Sequence, residues 1–277
     1  MRDPLFWQSI LDHKGAIPES ENLAELTLEL RPYLSNPDPQ LRDEFAYQLL
    51  AHWIMSGLYE PADLKQLLRQ WQHNLTIGIG ESDTDTVLTR SFSALMLSIL
   101  VYYDLKTPWM SDGDFHGLAD ATFTYLLAEQ DLRDYAAPVG WYHATAHTAD
   151  ILKFIARHPK SDTALHQRII DTIARKLTHP QKHIYTHGED ERLALVVLDI
   201  AKRKLISQSV YKTWLMSLVA TKDKFKPTIQ IDEVAFGALQ NVTLFLRALH
   251  ITLAKNRNHL DAGAALEYAV FEELLKL

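Results

Sequence analysis

Apolar residues recur along this chain at the spacing of an α-helix nearly everywhere. Phe45, Leu49, Leu50, Trp53 and Ile54 fall at i, i+4, i+5, i+8 and i+9, and Leu165, Ile169, Ile170, Ile173, Ala174 and Leu177 repeat the pattern. Each set makes one apolar stripe on a helix. No run alternates strictly between apolar and polar, so strands are not expected. Prolines divide the pattern: Pro18, Pro32, Pro37, Pro39, Pro61, Pro108, Pro138, Pro159, Pro180 and Pro227 all fall between periodic segments. A proline removes a helix hydrogen bond and clashes with the preceding turn, so it belongs at helix starts and in loops. These marks predict helices over 3–13, 20–31, 39–57, 61–75, 84–104, 113–130, 141–157, 162–178, 189–204, 207–221, 231–256 and 260–276.

The connections are short, and short connections make consecutive helices antiparallel neighbours. From Pro39 onward the helices pair into hairpins over 39–75, 84–130, 141–178, 189–221 and 231–276. Two-helix units of about 40–47 residues mark armadillo- or HEAT-like arrays. The expected fold is therefore all-α, a curved stack of antiparallel helix pairs, with a compact irregular helical bundle as the alternative. On the first reading residues 1–277 form a single domain, with 1–38 as capping helices and 39–277 as the hairpins. Self-similarity between the units is faint. Gly80-Glu81 with Arg90 ahead of Phe92-Ser93-Ala94-Leu95 echoes Gly188-Glu189 with Arg192 ahead of Leu193-Ala194-Leu195, at a different spacing.

Composition narrows the class. With 47% hydrophobic and 23% charged residues among 277, the chain is neither disordered nor membrane-embedded by composition. It has no cysteine, which excludes disulfides, thiolate metal sites and a cysteine nucleophile, and suits a reducing cytoplasm. The start, Met1-Arg2-Asp3-Pro4-Leu5-Phe6-Trp7, lacks the basic and apolar regions of a secretory signal. Uncharged runs in the first half, such as Ser91 to Tyr103, fall short of the ~20 residues that span a bilayer. A cytoplasmic protein without a membrane partner is expected.

The net charge of −7, from 28 basic and 35 acidic residues, is unevenly placed. Residues 1–60 hold ten acids against four bases, whereas 200–226 holds Lys202, Arg203, Lys204, Lys212, Lys222, Lys224 and Lys226 against Asp223. A one-sided basic patch attracts phosphate or an acidic partner, or is simply a solvated face. Without interleaved aromatics, and with an acidic total, nucleic acid is not an expected partner.

One segment carries chemistry: Gly140-Trp141-Tyr142-His143-Ala144-Thr145-Ala146-His147-Thr148-Ala149-Asp150. On a helix at ~100° per residue, His143, His147 and Asp150 lie within an arc of ~60°. Two imidazoles at i, i+4 can point a ring nitrogen at one divalent metal such as zinc, with Asp150 as third ligand or as the acceptor that orients a histidine. No Glu follows His143, so the zinc-protease pattern is absent. A satisfied hydrogen-bond network under a close helix contact, allowed by Ala144, Ala146 and Ala149, accounts for the same residues.

A second cluster is His187-Gly188-Glu189-Asp190-Glu191-Arg192. Three acids ahead of an apolar run oppose the positive end of a helix dipole, which explains Asp190 and Glu191 without function. His187 and Glu189 fall at the edge where stacked hairpins would bring them toward His143 and His147. Arg133, in Asp131-Leu132-Arg133-Asp134-Tyr135, has the planar fork to pair with Asp150 or Glu189, or it forms a surface ion pair at a helix C-terminus. The residues expected to line a pocket are thus Arg133, Trp141, His143, His147, Asp150, His187, Glu189 and Arg192. There is no glycine-rich phosphate loop, nucleophile elbow or dinucleotide fingerprint.

The segments Asp131-Leu132-Arg133, Gly140-Trp141-x-His143-Ala144-x-Ala146-His147-x-Ala149-Asp150 and Gly188-Glu189-Asp190-Glu191-Arg192-Leu193-Ala194 resemble a bacterial family of unknown function, number 2785 in the domain-of-unknown-function series. The family's usual Arg-Gly pair stands here as Arg133-Asp134. The resemblance implies a helical protein and brings no activity, cofactor or catalytic residue. Two functions are left to weigh. One is a helical-repeat scaffold that binds a protein or small molecule. The other is a metal-dependent hydrolase in which His143, His147 and Asp150 hold the ion and Glu189 is base or fourth ligand for an activated water.

Overall fold

The computed structural model describes residues 2–224, 231–260 and 263–277, with the side chains of 259, 263 and 264 excepted. Lys226 and Pro227 of the sequence reading lie outside the described residues, as do positions 261–262 at the start of the last predicted helix. The fold is all-α, and each predicted helix has its counterpart. In the first half these are α1 (Pro4–Asp12), α2 (Leu23–Leu30), α3 (Gln48–Met55), α4 (Pro61–Asn74), α5 (Thr86–Lys106) and α6 (Asp112–Ala128). Next come α7 (Ala144–Arg157), α8 (Thr163–Thr178), α9 (Glu189–Arg203), α10 (Gln208–Val219), α11 (Glu233–Lys255) and α12 (Gly263–Leu274). Local chemistry fixes many of the starts. Asp3, Asn22, Ser111, Asp162, Ser207 and Asp232 each cap a helix by accepting a hydrogen bond from a first-turn N–H, and Pro4 and Pro61 occupy the first turn, where no N–H is needed.

Three expectations need correction. The helix predicted over 39–57 begins as a π-helical stretch, Gln40–Tyr47, and only then becomes α3. The helix predicted over 141–157 starts at Ala144, because His143 adopts a left-handed backbone with φ +50°. Strands were not expected, yet β1 (Tyr135–Ala136) pairs antiparallel with β2 (Gly140–Trp141). A two-residue ladder is too short to print an alternating pattern on the sequence.

The chain divides into two compact units, residues 1–151 and 152–277. In the first, α4 and α3 pack against α5, around a core that includes Trp7, Phe45, Trp53, Trp71, Phe92 and Phe115. In the second, α11 packs against α8, α9 and α12, and α10 packs against α8 and α12. Its core includes Ile169, Ile173, Val197, Leu215, Phe245 and Leu249. α5 and α11 are long and apolar enough to cross a membrane by length and composition alone, with 67% and 44% of their apolar windows buried inside the fold. In α5 the buried positions include Arg90, Ser91, Ser93, Ser98 and Asp104, and Asp104 accepts the backbone N–H groups of Trp109 and Met110 at 2.5 and 2.7 Å.

Candidate functional site

In the first unit the irregular segment between α6 and α7 is held by a run of charged hydrogen bonds. Glu129, just past α6, accepts Arg90 Nε at 2.6 Å and Arg90 Nη2 at 2.9 Å, and also the Asp131 N–H at 2.9 Å. Asp131, itself buried, accepts Arg133 Nε at 2.8 Å and Nη2 at 2.7 Å. The Arg133 fork also reaches the Thr84 carbonyl at 2.7 Å and lies 4.2 Å above the Tyr142 ring. Arg133 therefore takes neither of its expected long-range roles in the first instance: a carboxylate two residues away occupies its fork. The Asp131 hydrogen bonds raise the Arg133 pKa; burial pulls that of Arg90 down, but the hydrogen bonds and charge of Glu129, with Tyr125 and Asp131, together raise it.

This network sets up a short hairpin. The Tyr142 N–H donates to the Asp134 carbonyl at 2.7 Å, extending the ladder of β1 and β2. Gly140 takes φ +86°, which a side chain would resist. From beneath, the fully buried Arg42 donates Nη2 to the Val139 carbonyl at 2.8 Å while its guanidinium stacks 4.7 Å over Phe92. Above, Tyr135 and Trp141 are cross-strand partners whose rings meet edge-on at 4.9 Å, and both are exposed.

The histidines lie just under that aromatic pair. The His143 ring stacks flat on Trp141, 4.2 Å between centroids and 7° between planes, and its Nδ1 is 4.0 Å from an Asp134 carboxylate oxygen. Its carbonyl accepts the His147 N–H at 2.9 Å, so His143 tops α7 rather than belonging to it. The two rings still meet, at 5.6 Å, because the residue ahead of a helix faces its first turn. His147 Nδ1 sits 3.0 Å from the Ser91 carbonyl, and since a carbonyl only accepts, Nδ1 is the donor. Its edge meets Phe92 at 5.3 Å. Asp150 follows on α7, half-buried. Among the described residues, His143, His147 and Asp150 do not bring three ligand atoms within 4.8 Å of one another.

The remaining predicted residues belong to the second unit. Glu189 opens α9, fully buried, and accepts the His187 N–H at 3.0 Å. His187 is exposed and Arg192 half-buried, with its N–H on the Gly188 carbonyl at 3.0 Å. Asn241 of α11 clamps the approach to this turn, accepting the Tyr185 N–H at 2.8 Å and donating to the His183 carbonyl at 2.9 Å. Burial pushes the Asp190 carboxyl upward.

Sequence reasoning missed Asp134 as the neighbour of His143, and it missed Tyr135, Arg42, Arg90 and Glu129. Arg90 left a legible signal, a cation set among the apolar positions of α5 far from the helix end where Lys106 lies. Arg42 left none, since only the fold brings it to Val139. What the arrangement offers chemically is an exposed aromatic surface resting on imidazoles beside a buried carboxylate. Such a surface stacks on a ligand and presents hydrogen-bonding groups at its edge.

Among curated proteins and among solved structures, none matches this chain. Residues 75–251, which contain the hairpin, both histidines and the His187–Arg192 turn, match the family described as protein of unknown function (DUF2785). The match spans well over half of the chain, and the chain belongs to that family.

Proposed function

We propose that this protein is a helical scaffold that binds a small-molecule or protein partner at the Tyr135–Trp141 hairpin. The observation that carries the reading is Trp141, 40% exposed, stacked on a buried His143 that in turn faces Asp134. Tyr135 and Trp141 place two exposed rings side by side, an aromatic surface of the kind enriched at binding sites, and here it is backed by groups that supply directional hydrogen bonds. The left-handed backbone of His143 is a non-glycine outlier of the kind that concentrates at functional sites. Stacked antiparallel helix pairs are the architecture we infer. Packing of α8 on α10, α9 on α11 and α10 on α12 supports it, since successive hairpins laid side by side bring helices two apart into contact. The lack of cysteine supports a reducing, cytoplasmic setting.

The test is a thermal-shift screen of a metabolite panel, with each stabilising compound repeated on Trp141→Ala and His143→Gly proteins. Compounds whose effect vanishes in both variants support the hairpin as the site. Stabilisation that survives both variants places recognition elsewhere and ends this reading. Metal analysis of untagged protein separates the alternative: stoichiometric zinc that is lost in His147→Ala would replace the scaffold by the metal-dependent hydrolase.

A further inference from the structure

A second cleft lies in the first unit ahead of the family match, which begins at residue 75. It runs between the faces of α2 and α4 and encloses about 420 Å³, within the usual range for small-molecule sites. Three groups of different chemistry line it. Leu23, Leu28 and Leu67 supply apolar wall, and Leu28 is 62% exposed. At the floor, Thr27 Oγ1 and Tyr59 Oη, both on buried residues, share one hydrogen bond of 2.6 Å. Two hydroxyls carry two hydrogens, and their mutual bond uses one, so the pair keeps a donor to offer. At the rim stand the Arg31 guanidinium and the Asp63 carboxylate. Among the described residues neither makes a side-chain hydrogen bond or an ion pair. Both residues line the same cleft as Thr27 and Tyr59.

A pocket with a free cation, a free anion, a spare hydroxyl donor and an apolar wall is complementary to one kind of small molecule. We infer that this cleft binds an apolar zwitterion of the amino-acid type, its carboxylate on Arg31 and the Thr27–Tyr59 hydroxyls, its ammonium on Asp63 and its side chain against Leu23, Leu28 and Leu67. Guanidinium and carboxylate form a planar, directional pair, and an apolar body provides affinity that an ion pair at a wet rim alone does not. This site is separate from the hairpin and does not rest on the function proposed for it.

Calorimetric titration of the full chain with leucine and phenylalanine, with 4-methylpentanoate and with 3-methylbutylamine tests the inference, because the last two lack the ammonium and the carboxylate respectively. The amino acids are expected to bind, the acid and the amine at least about tenfold more weakly, a difference of about 1.4 kcal/mol for each lost charge contact. Arg31→Gln and Asp63→Asn, both at the rim and outside the core, should each weaken amino-acid binding about tenfold with the far-ultraviolet dichroism unchanged. Equal binding of the acid alone, unaltered affinity in Arg31→Gln, or no heat from either amino acid at about 10 mM, where even a millimolar site would saturate, would overturn it.

Discussion

Arg90 and Glu129, at opposite ends of a buried strut from α5 to the end of α6, meet through two nearly parallel hydrogen bonds of 2.6 and 2.9 Å, with side-chain exposures of 0% and 3%. Arg90 Nη1 also donates to the Ile77 and Gly78 carbonyls, both at 2.9 Å, so a single guanidinium ties three segments of the first unit. Bringing two charges out of water is costly, and this geometry offsets the cost because nearly every donor and lone pair finds a partner. Removing one member strands the other. Glu129→Gln is therefore expected to lower the stability of the first unit by about 3–5 kcal/mol, read from urea unfolding, and to loosen the Asp131 N–H that the same carboxylate accepts. A loss below about 1 kcal/mol would mean the pair is screened as at a surface.

His143 provides a test that separates the hairpin's function from its folding. At φ +50° any side chain costs about 1–2 kcal/mol that glycine avoids. Losing the ring forfeits the Trp141 stack, worth about 0.5–1.5 kcal/mol. The two effects oppose, so His143→Gly is expected to stay within about 1 kcal/mol of the parent in thermal unfolding while abolishing hairpin-dependent ligand stabilisation. A large drop in melting temperature would make His143 a structural residue.

His166 in the second unit predicts a pH dependence. Its Nε2 donates to the Ala156 carbonyl at 3.0 Å, and Nδ1 is buried with no partner among the described residues. Burial lowers its pKa, opposed in part by the Ala156 bond, so the folded state holds this ring neutral. The unfolded chain binds the proton more readily, and stability therefore rises with pH in this range. The contribution is fully present above the ordinary histidine value near 6.5 and falls as the pH drops below it toward the lowered folded value. Denaturant midpoints measured from pH 7.5 down to about 5 should decline, and His166→Gln should flatten that slope. Equal slopes for the two proteins would remove His166 as the source.

Gly237 on α11 faces the backbone of the loop before α9. A Cβ there would stand 2.0 Å from the Gln181 carbonyl oxygen and 3.1 Å from its carbon, while the Gln181 N–H bonds to the Val234 carbonyl at 3.2 Å. Backbone held on both sides cannot yield as a side-chain tip would. Gly237→Ala should cost about 3 kcal/mol despite alanine's better helix propensity, measured by urea unfolding. A neutral or stabilising substitution would show that the loop shifts freely.

Much of this was legible along the chain. The apolar stripes and prolines placed the helices, because a helix buries one face whatever it packs against, and caps such as Asn22, Ser111 and Asp232 satisfy their own first turns. The same local logic singled out the His143–His147 segment and Arg133. It misassigned His143 in detail and left Arg133 open. His143 reads as a helical residue by spacing, yet the strand pair preceding it turns its backbone left-handed. Arg133 reads either as a long-range partner or as a local surface ion pair, and the buried Asp131 two residues away occupies its fork.

Sequence by itself determined that this is an all-α chain without thiol chemistry, and which stretches bear its polar side chains. Only the tertiary structure decided which of those side chains face one another. The pairing of Arg90 with Glu129, the seat of Arg42 beneath Val139 and the approach of Asp134 to His143 join positions that no helical period relates. Helix formation is governed by contacts within a few residues, whereas a buried charge is tolerated only where the whole fold delivers its partner.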